Sequence, residues 1–502
     1  MSEILKGGRV SGLREDALKY VSSIRYDEKI LKHVLDVNKA HVIVLVERGI
    51  ISKEDGSRIL EALLTLDENP PFRLDVEDIH VLIEEEVIKR AGIDVGGNLN
   101  IAKSRNDQVA TAIRMALREE ILGILEETLA LQGSLLEVAD KNINTVLPGY
   151  THLQPAQPIT FAHYLLSHFD ALSRDLERIF NAYRHVNLCP MGAGALSTTS
   201  FPISRERVME LLGFDGLIEN SIDAVRSRDF LLETLAALSV MAVNLSYLLE
   251  DLIIWSSMEF GLIELPDEFT STSSIMPQKK NPDVLEVMRA RMGLILGNFI
   301  AVSIVLKSLP SVYNLDFQEA TPRLWDACEV MRESLKVLSE LVRGLKVKVE
   351  NIDKPIYSFM AATEVANMLV RKYGIPFRVA HKITGSLVKI LLESGKTLKD
   401  VTPRLLAEVS ANFLSNPIQV KEEDLHIAVS LAGFLESHSV RGGPSRREVK
   451  RMLSERKILL SKFRDETLRL KETLSSSRDR LNSLAKLYSL TSLKERGYDS
   501  KV

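Results

Sequence analysis

Cysteine is almost missing from this chain: two in 502 residues, Cys189 and Cys328. Such a pair gives neither a disulfide framework nor zinc-ligand spacing, which points to a reducing compartment. An excess of either charge is missing too, with 64 Lys and Arg against 68 Asp and Glu and a net charge of -4. That excludes the broad basic face of a nucleic-acid binder, so a small anionic ligand must be met by a local cluster of donors. There is no long hydrophobic run. The longest near-apolar run, Met292 to Leu306, is interrupted by Asn298 and Ser303 and falls short of the ~20 residues of a bilayer span. A buried bundle helix is expected there. The opening residues, MSEILKGGRVSG, lack the apolar centre of a secretory signal. A cytoplasmic protein with no membrane and no nucleic-acid partner is expected. No HExxH, GKS/T loop or paired CxxC occurs, and neither a metal nor a cofactor is expected. Gly192-Ala193-Gly194 is a short glycine turn with no strand before it.

Helix breakers are also scarce in the middle of the chain. From Leu217 to Phe260 there is no Gly and no Pro. Within that stretch Leu231, Leu235, Leu238, Ala242, Leu245, Leu249 and Leu252 step by four and three, the seam of a helix packed against neighbours. Similar breaker-poor segments run Arg105 to Leu147, Ile159 to Cys189, Pro282 to Leu309 and Pro322 to Arg343. Period-2 alternation is nearly absent. The expected fold is all-α, with a central bundle of five long helices. The expected division is an N-terminal helical domain over 1–103, the bundle over 104–350, and a C-terminal helical domain with an extended tail over 351–502.

The unusual polar residues gather in the loops at helix ends, where chemistry is commonly mounted on a rigid scaffold. Lys103-Ser104-Arg105-Asn106-Asp107-Gln108 opens the first long helix, and Ser104 or Asn106 also reads as a plain cap. Gly149 to Pro158 holds His152 in a proline-stiffened loop with flanking Thr and Gln donors, a suitable mount for proton transfer. Thr270 to Pro282 sets hydroxyls beside Lys279, Lys280 and a helix start, a combination suited to carboxylates. Its bland reading is a solvated loop with Pro at the first helical position. Pro310 to Glu319 joins the last two long helices. His33, His41, His163, His168 and His185 lie on helical patterns and read as structural.

Ser273-Ser274-Ile275-Met276-Pro277-Gln278-Lys279-Lys280-Asn281-Pro282 closely resembles the signature of the fumarase/aspartase superfamily. Ser104-Arg105-Asn106-Asp107-Gln108-Val109, Gly149-Tyr150-Thr151-His152-Leu153-Gln154, Asp78-Ile79-His80 and Tyr313-Asn314…Gln318-Glu319 resemble the argininosuccinate lyase family within it. The likeness runs from about Ser22 to Gly442-Gly443. It implies a homotetramer with a 20-helix core, active sites shared between subunits, and elimination of fumarate from argininosuccinate to leave arginine. It also implies roles. Ser273 and His152 match the acid/base pair, in either order, and Glu286 matches the partner of the histidine. Lys279 and Asn281 match groups that hold carboxylates. Ser23, Asn106, Thr151, Tyr313 and Gln318 match substrate-binding positions.

The chain departs from that pattern. Asn100-Ile101-Ala102-Lys103 stands where the family has His-Thr-Gly-Arg, and Thr272 replaces a glycine. Thr321 replaces a lysine after the Tyr…Gln motif, which removes one substrate cation; Lys103 or Arg323 is the candidate to replace it. The tail runs past the usual end. Two other readings stand beside the first: a lyase acting on another succinyl adduct such as adenylosuccinate, and a silent crystallin-like structural protein.

Overall fold

The computed structural model describes residues 13–495, with side chains through residue 490. At its centre stand five long helices: Arg105–Lys141, Phe161–Val186, Asp229–Ser256, Asp283–Leu306 and Phe317–Arg343. Each packs on the next, and the fifth returns to the first. The seam read from the sequence is the buried face of the third helix: Leu231, Leu235, Leu238, Ala242, Leu245, Leu249 and Leu252 are all buried. Each buried leucine contributes on the order of 1.5–3 kcal/mol.

The helices alternate in direction. Arg114, near the start of the first, reaches the carbonyl of His185 at 2.6 Å and the hydroxyl of Ser227 at 3.0 Å. The guanidinium of Arg228 lies 4.5 Å over the ring of Phe317. One end of the bundle therefore gathers the starts of the first, third and fifth helices and the end of the second. At the other end Tyr164 bonds Asp251 at 2.9 Å, Arg289 meets Glu250 at 2.5 Å and Arg343 meets Glu137 at 3.4 Å.

Two expected helix boundaries moved. The Leu217 to Phe260 stretch is not one helix. Asn220 caps a short helix, Ser221–Arg226, and the long helix begins only at Asp229. The break falls where Ser227 serves Arg114 and Arg228 turns inward, so tertiary bonds override local propensity. The fifth helix starts at Phe317, not Pro322. Pro322 sits close enough to the start to cost a single helical hydrogen bond. Between the first two long helices the Gly149 to Pro158 loop is part of a β-hairpin, Val146–Thr151 paired with Gln154–Thr160.

The fourth helix, expected to be buried, is largely open in the single chain. Leu285, Met288, Met292, Ile295 and Val302 are buried, whereas Val287, Leu294, Ile300 and Ile304 face outward. This helix and the third are as long and apolar as a membrane span, a property that core helices of soluble proteins share.

Residues 361–434 enclose a second apolar core around Val365, Leu369, Ile383, Leu387, Leu391 and Phe434. The chain then returns as a 50-residue helix, Arg446–Glu495. It lies against the first long helix and the N-terminal helices Leu31–Glu47 and Lys53–Glu68. Lys39, fully buried, meets Asp36 at 2.7 Å, Asp67 at 3.0 Å and Asn482 of the returning helix at 2.7 Å. Such a charge is tolerable inside only with partners like these.

Candidate active site

The first long helix begins with a capping box. Ser104 accepts from the amide of Asn106 at 3.2 Å, and Asp107 accepts from the amide of Ser104 at 3.0 Å. The other oxygen of Asp107 accepts from Gly192 at 3.0 Å and Gly194 at 2.8 Å. The glycine turn thus serves a purpose: it closes around the buried carboxylate that fixes the start of this helix. Burial pushes the Asp107 carboxyl up to about 6.

Four of the expected site residues share one cavity of about 230 Å³ at this end of the bundle: Ser23, Asn106, Tyr313 and Gln318. Gln318 donates to the carbonyl of Val21 at 2.9 Å, which docks the segment bearing Ser23 onto the fifth helix. Ser23 donates to Asp27 at 2.9 Å, and Asp27 also accepts from the amide of Ile79 at 3.1 Å. Burial raises the Asp27 carboxyl to about 6. Arg105 meets Asp78 at 2.7 Å and Glu77 at 3.4 Å on the cavity wall. His80, also on the wall, is buried, and burial lowers it to about 4, so it is neutral at pH 7.

The other six expected residues lie at the opposite end. Thr151 ends one hairpin strand, and His152 and Leu153 form the two-residue turn. Their φ angles are 58° and 55°. This is the primed turn usually given to Asn-Gly, and non-glycine residues pay for it in strain. His152 is held out, exposed, at the tip. The signature loop runs between two short paired strands, Ser271–Thr272 and Lys280–Asn281. Inside it Ser273 accepts from the amides of Ile275 at 3.3 Å and Met276 at 3.2 Å. Two amides on one hydroxyl oxygen favour negative charge there. Of the two lysines expected to hold anions, Lys280 is already occupied by Asp267 at 2.6 Å and Glu264 at 3.4 Å. Lys279 is exposed and has no carboxylate partner among the described residues. Glu286 stands, exposed, in the first turn of the fourth helix. Among the described residues no hydrogen bond joins it to His152 within the chain.

The site residues therefore fall into two sets. Ser23, Asn106, Tyr313 and Gln318 occupy one end; Thr151, His152, Ser273, Lys279, Asn281 and Glu286 occupy the other. The first long helix, 37 residues, separates Asn106 from the hairpin, a length of about 55 Å at 1.5 Å per residue.

Neither candidate for the missing cation reaches this cavity. Lys103 turns inward to Asn38, and Arg323 is an exposed residue beside Asp326. Thr321 does line the cavity, together with Arg228. Asp27 and Arg228 are lining residues that the sequence reading did not single out. Asp27 had a signal, since it stands four residues after Ser23 and so on the same helical face. Arg228 had none, because a charged residue before an apolar helix reads as solvated. Among the described residues no group of three or more His, Cys, Asp or Glu is gathered as a metal would require.

The chain is similar to known proteins over nearly its whole length. Residues 19–297 match a family model described as lyase, and residues 359–436 match one described as argininosuccinate lyase C-terminal. The argininosuccinate lyase of Methanosarcina barkeri is 43% identical over 485 residues, covering 96% of this chain and 98% of its own length. That of Methanocaldococcus jannaschii is 42% identical over 471 residues, covering 92% and 96%. Among solved structures, EDDS lyase in complex with formate superposes with a TM-score of 0.85 at 27% identity, covering 99% of this chain and all of that one. A class II fumarase from Schistosoma mansoni shares the fold with a TM-score of 0.67 at 20% identity, covering 80% of this chain and 90% of that one. With near full-length relatives of one name and the matching C-terminal segment, this chain belongs to the argininosuccinate lyase family, carbon–nitrogen lyases of the fumarase/aspartase superfamily.

Proposed function

We propose that the chain eliminates fumarate from argininosuccinate, releasing arginine, in the cytoplasm and without a cofactor, and that its active sites form where subunits of a homotetramer meet. The observation that carries the shared site is the division of the site residues between the two ends of the bundle. A ligand of this size cannot span about 55 Å, so a complete site draws its two sets from different chains. The outward apolar residues of the fourth helix, and Val240, Val243 and Tyr247 on the third, supply surface for that assembly. A patch of this kind marks an interface, and four copies of five long helices make the expected 20-helix core.

In this reading a proton leaves the carbon beside a carboxylate, the bonding pair collapses into the new double bond, and the guanidino nitrogen departs with the electrons of the C–N bond. Ser273 and His152 share the two proton transfers, one removing the carbon proton and the other protonating the leaving nitrogen. The amides of Ile275 and Met276 support the serine oxygen as an anion. Glu286 orients His152. Lys279 and Asn281 hold the succinyl carboxylates, whose charge grows as the proton leaves. Ser23, Asn106, Thr151, Tyr313 and Gln318 bind the rest of the substrate.

The test is to incubate purified protein with argininosuccinate and follow fumarate absorbance, with adenylosuccinate in a parallel run. Release from the first alone is expected. Release from adenylosuccinate alone selects the other lyase, and release from neither selects a silent structural protein.

A further inference from the structure

The chain ends in a long helix for which the sequence offered no role. Arg478, Leu481, Asn482, Ala485 and Ser489 recur every three or four residues along it and so share one face. Leu481 and Ala485 are buried. The same face makes three polar contacts with the N-terminal helices. Arg478 meets Asp36 at 3.3 Å. The carbonyl of Ser489 accepts from the hydroxyl of Ser57 at 2.6 Å. The side-chain oxygen of Asn482 accepts from Lys39 at 2.7 Å.

The last contact matters most, because Lys39 is fully buried. Its ammonium donates two hydrogen bonds among the described residues, to Asp67 at 3.0 Å and to Asn482. Asp36 stands 2.7 Å away but off the line of a hydrogen bond. An N–H on a buried cation needs an acceptor. Without Asn482 this one has none in the interior, and helix Leu31–Glu47 must shift to wet it.

That helix also holds the active site in place. Next to Lys39, the buried Asn38 accepts from the ammonium of Lys103. One turn on, the buried His41 donates from Nε2 to the carbonyl of Ile101 at 2.7 Å. Residues 101–103 therefore hang on this helix from both ends. They lead directly into the Ser104 capping box and Asn106. A shift of the helix is passed to Asn106 through two hydrogen bonds, with no loop between to absorb it.

We propose that Asn482 is a positioning residue of the active site: through Lys39 it holds helix Leu31–Glu47 where Asn38 and His41 place the turn that presents Asn106. The role of Asn106 in substrate binding rests on the function proposed above.

The test uses full-length Asn482→Leu, similar in size but without an acceptor, beside Asn482→Asp, which keeps one for Lys39. Two properties are read: kinetics with argininosuccinate, and amide hydrogen exchange. In Asn482→Leu the Michaelis constant is expected to rise roughly five- to tenfold, the value of one misplaced hydrogen bond. Turnover stays within about threefold, since the contact serves ground state and transition state alike. Amides 103–107 exchange at least about tenfold faster, while those of Asp229–Ser256 keep the wild-type rate, so the loosening is local. Asn482→Asp keeps the Michaelis constant within about twofold of wild type. Should Asn482→Leu fail to fold by circular dichroism, Asn482→Ala takes its place. A Michaelis constant within about twofold of wild type in the acceptor-free variant makes Asn482 a mere staple and overturns the proposal, however far turnover falls. So does exchange that is unchanged at 103–107 or faster everywhere alike. A wild-type enzyme that releases no fumarate from argininosuccinate removes the proposed reaction instead, and the exchange measurement alone then decides whether Asn482 positions this turn.

Discussion

The phenol of Tyr150 donates to the phenol of Tyr357 at 2.9 Å. The two rings meet edge to face at 6.5 Å, and Tyr150 also packs on Phe260 at 5.6 Å. This contact lies two residues before His152, so it anchors the strand whose strained turn presents the imidazole. Tyr357→Phe keeps the rings and removes one hydrogen bond, a loss of about 1 kcal/mol. Turnover is expected to fall about threefold to tenfold with the Michaelis constant nearly unchanged, and far-UV circular dichroism the same. A variant with wild-type turnover would show that the hairpin holds its shape without this anchor.

Much of the fold was legible because its cause is local. The leucine seam of the third helix and the scarcity of breakers mark the long helices directly. The breaks at Ser227–Arg228 and the return of the Arg446–Glu495 helix were not legible, since they depend on Arg114, Lys39 and Asp67 from distant parts of the chain. The candidate site was half legible. The motifs named ten residues, yet nothing in their spacing says that the two ends of a helix serve different sites. Arg228 was invisible because the ring that covers its guanidinium, Phe317, stands far from it in the sequence.

Ser273 offers a sharper test of the chemistry. Its oxygen already accepts two amides, so Ser273→Ala removes an oxygen without opening a core. The protein should fold normally and lose at least about a thousandfold in turnover, roughly 4 kcal/mol of barrier. Retention of more than about a tenth of wild-type turnover, a change of only ~1.4 kcal/mol, would rule the serine out of proton transfer.

Ala102 explains one departure from the family pattern. It stands in the glycine position of His-Thr-Gly-Arg and keeps the left-handed backbone, with φ at 65°. A Cβ there costs on the order of 1 kcal/mol, part of which glycine returns through its freer unfolded chain. Ala102→Gly is therefore expected to raise the urea midpoint, by up to about 1 kcal/mol of stability, with activity unchanged. A lowered midpoint would mean that the methyl group packs usefully in spite of its backbone.

Lys103 gives a pH dependence with a definite sign. Burial lowers its ammonium from 10.5 to about 7, against the pull of Asp107 and Glu84. Between about pH 7 and 10.5 the unfolded chain keeps this proton and the folded chain has lost it. More protons on the unfolded side mean that stability rises with pH across that window. Below pH 7 both states are protonated and the contribution is lost. Lys103→Met should remove the rise, so the wild-type minus variant difference in unfolding free energy grows from pH 7 to 9. A difference constant over that range contradicts a depressed lysine.

The shared site makes the strongest demand. Asn106 sits in the first turn of a 37-residue helix and His152 beyond its other end, so Asn106→Ala and His152→Ala damage different ends of every subunit. Each homotetramer has a lesion in all of its sites and should be inactive. In a mixed tetramer some sites draw Asn106 from a His152→Ala chain and His152 from an Asn106→Ala chain. Those sites contain both intact residues, and their opposite numbers contain both lesions. With random assembly from equal amounts, a pair of subunits supplies an undamaged site about one time in four, so co-refolded mixtures should regain up to roughly a quarter of wild-type turnover per site while the Michaelis constant stays near the wild-type value. Mixing the two proteins without denaturation should restore nothing at first, since intact tetramers do not exchange until subunits separate. The decisive control is wild-type protein taken through the same cycle. If it recovers full activity and the mixture recovers none, both residues act within a single chain's site, and the end-to-end division of this bundle has some other purpose.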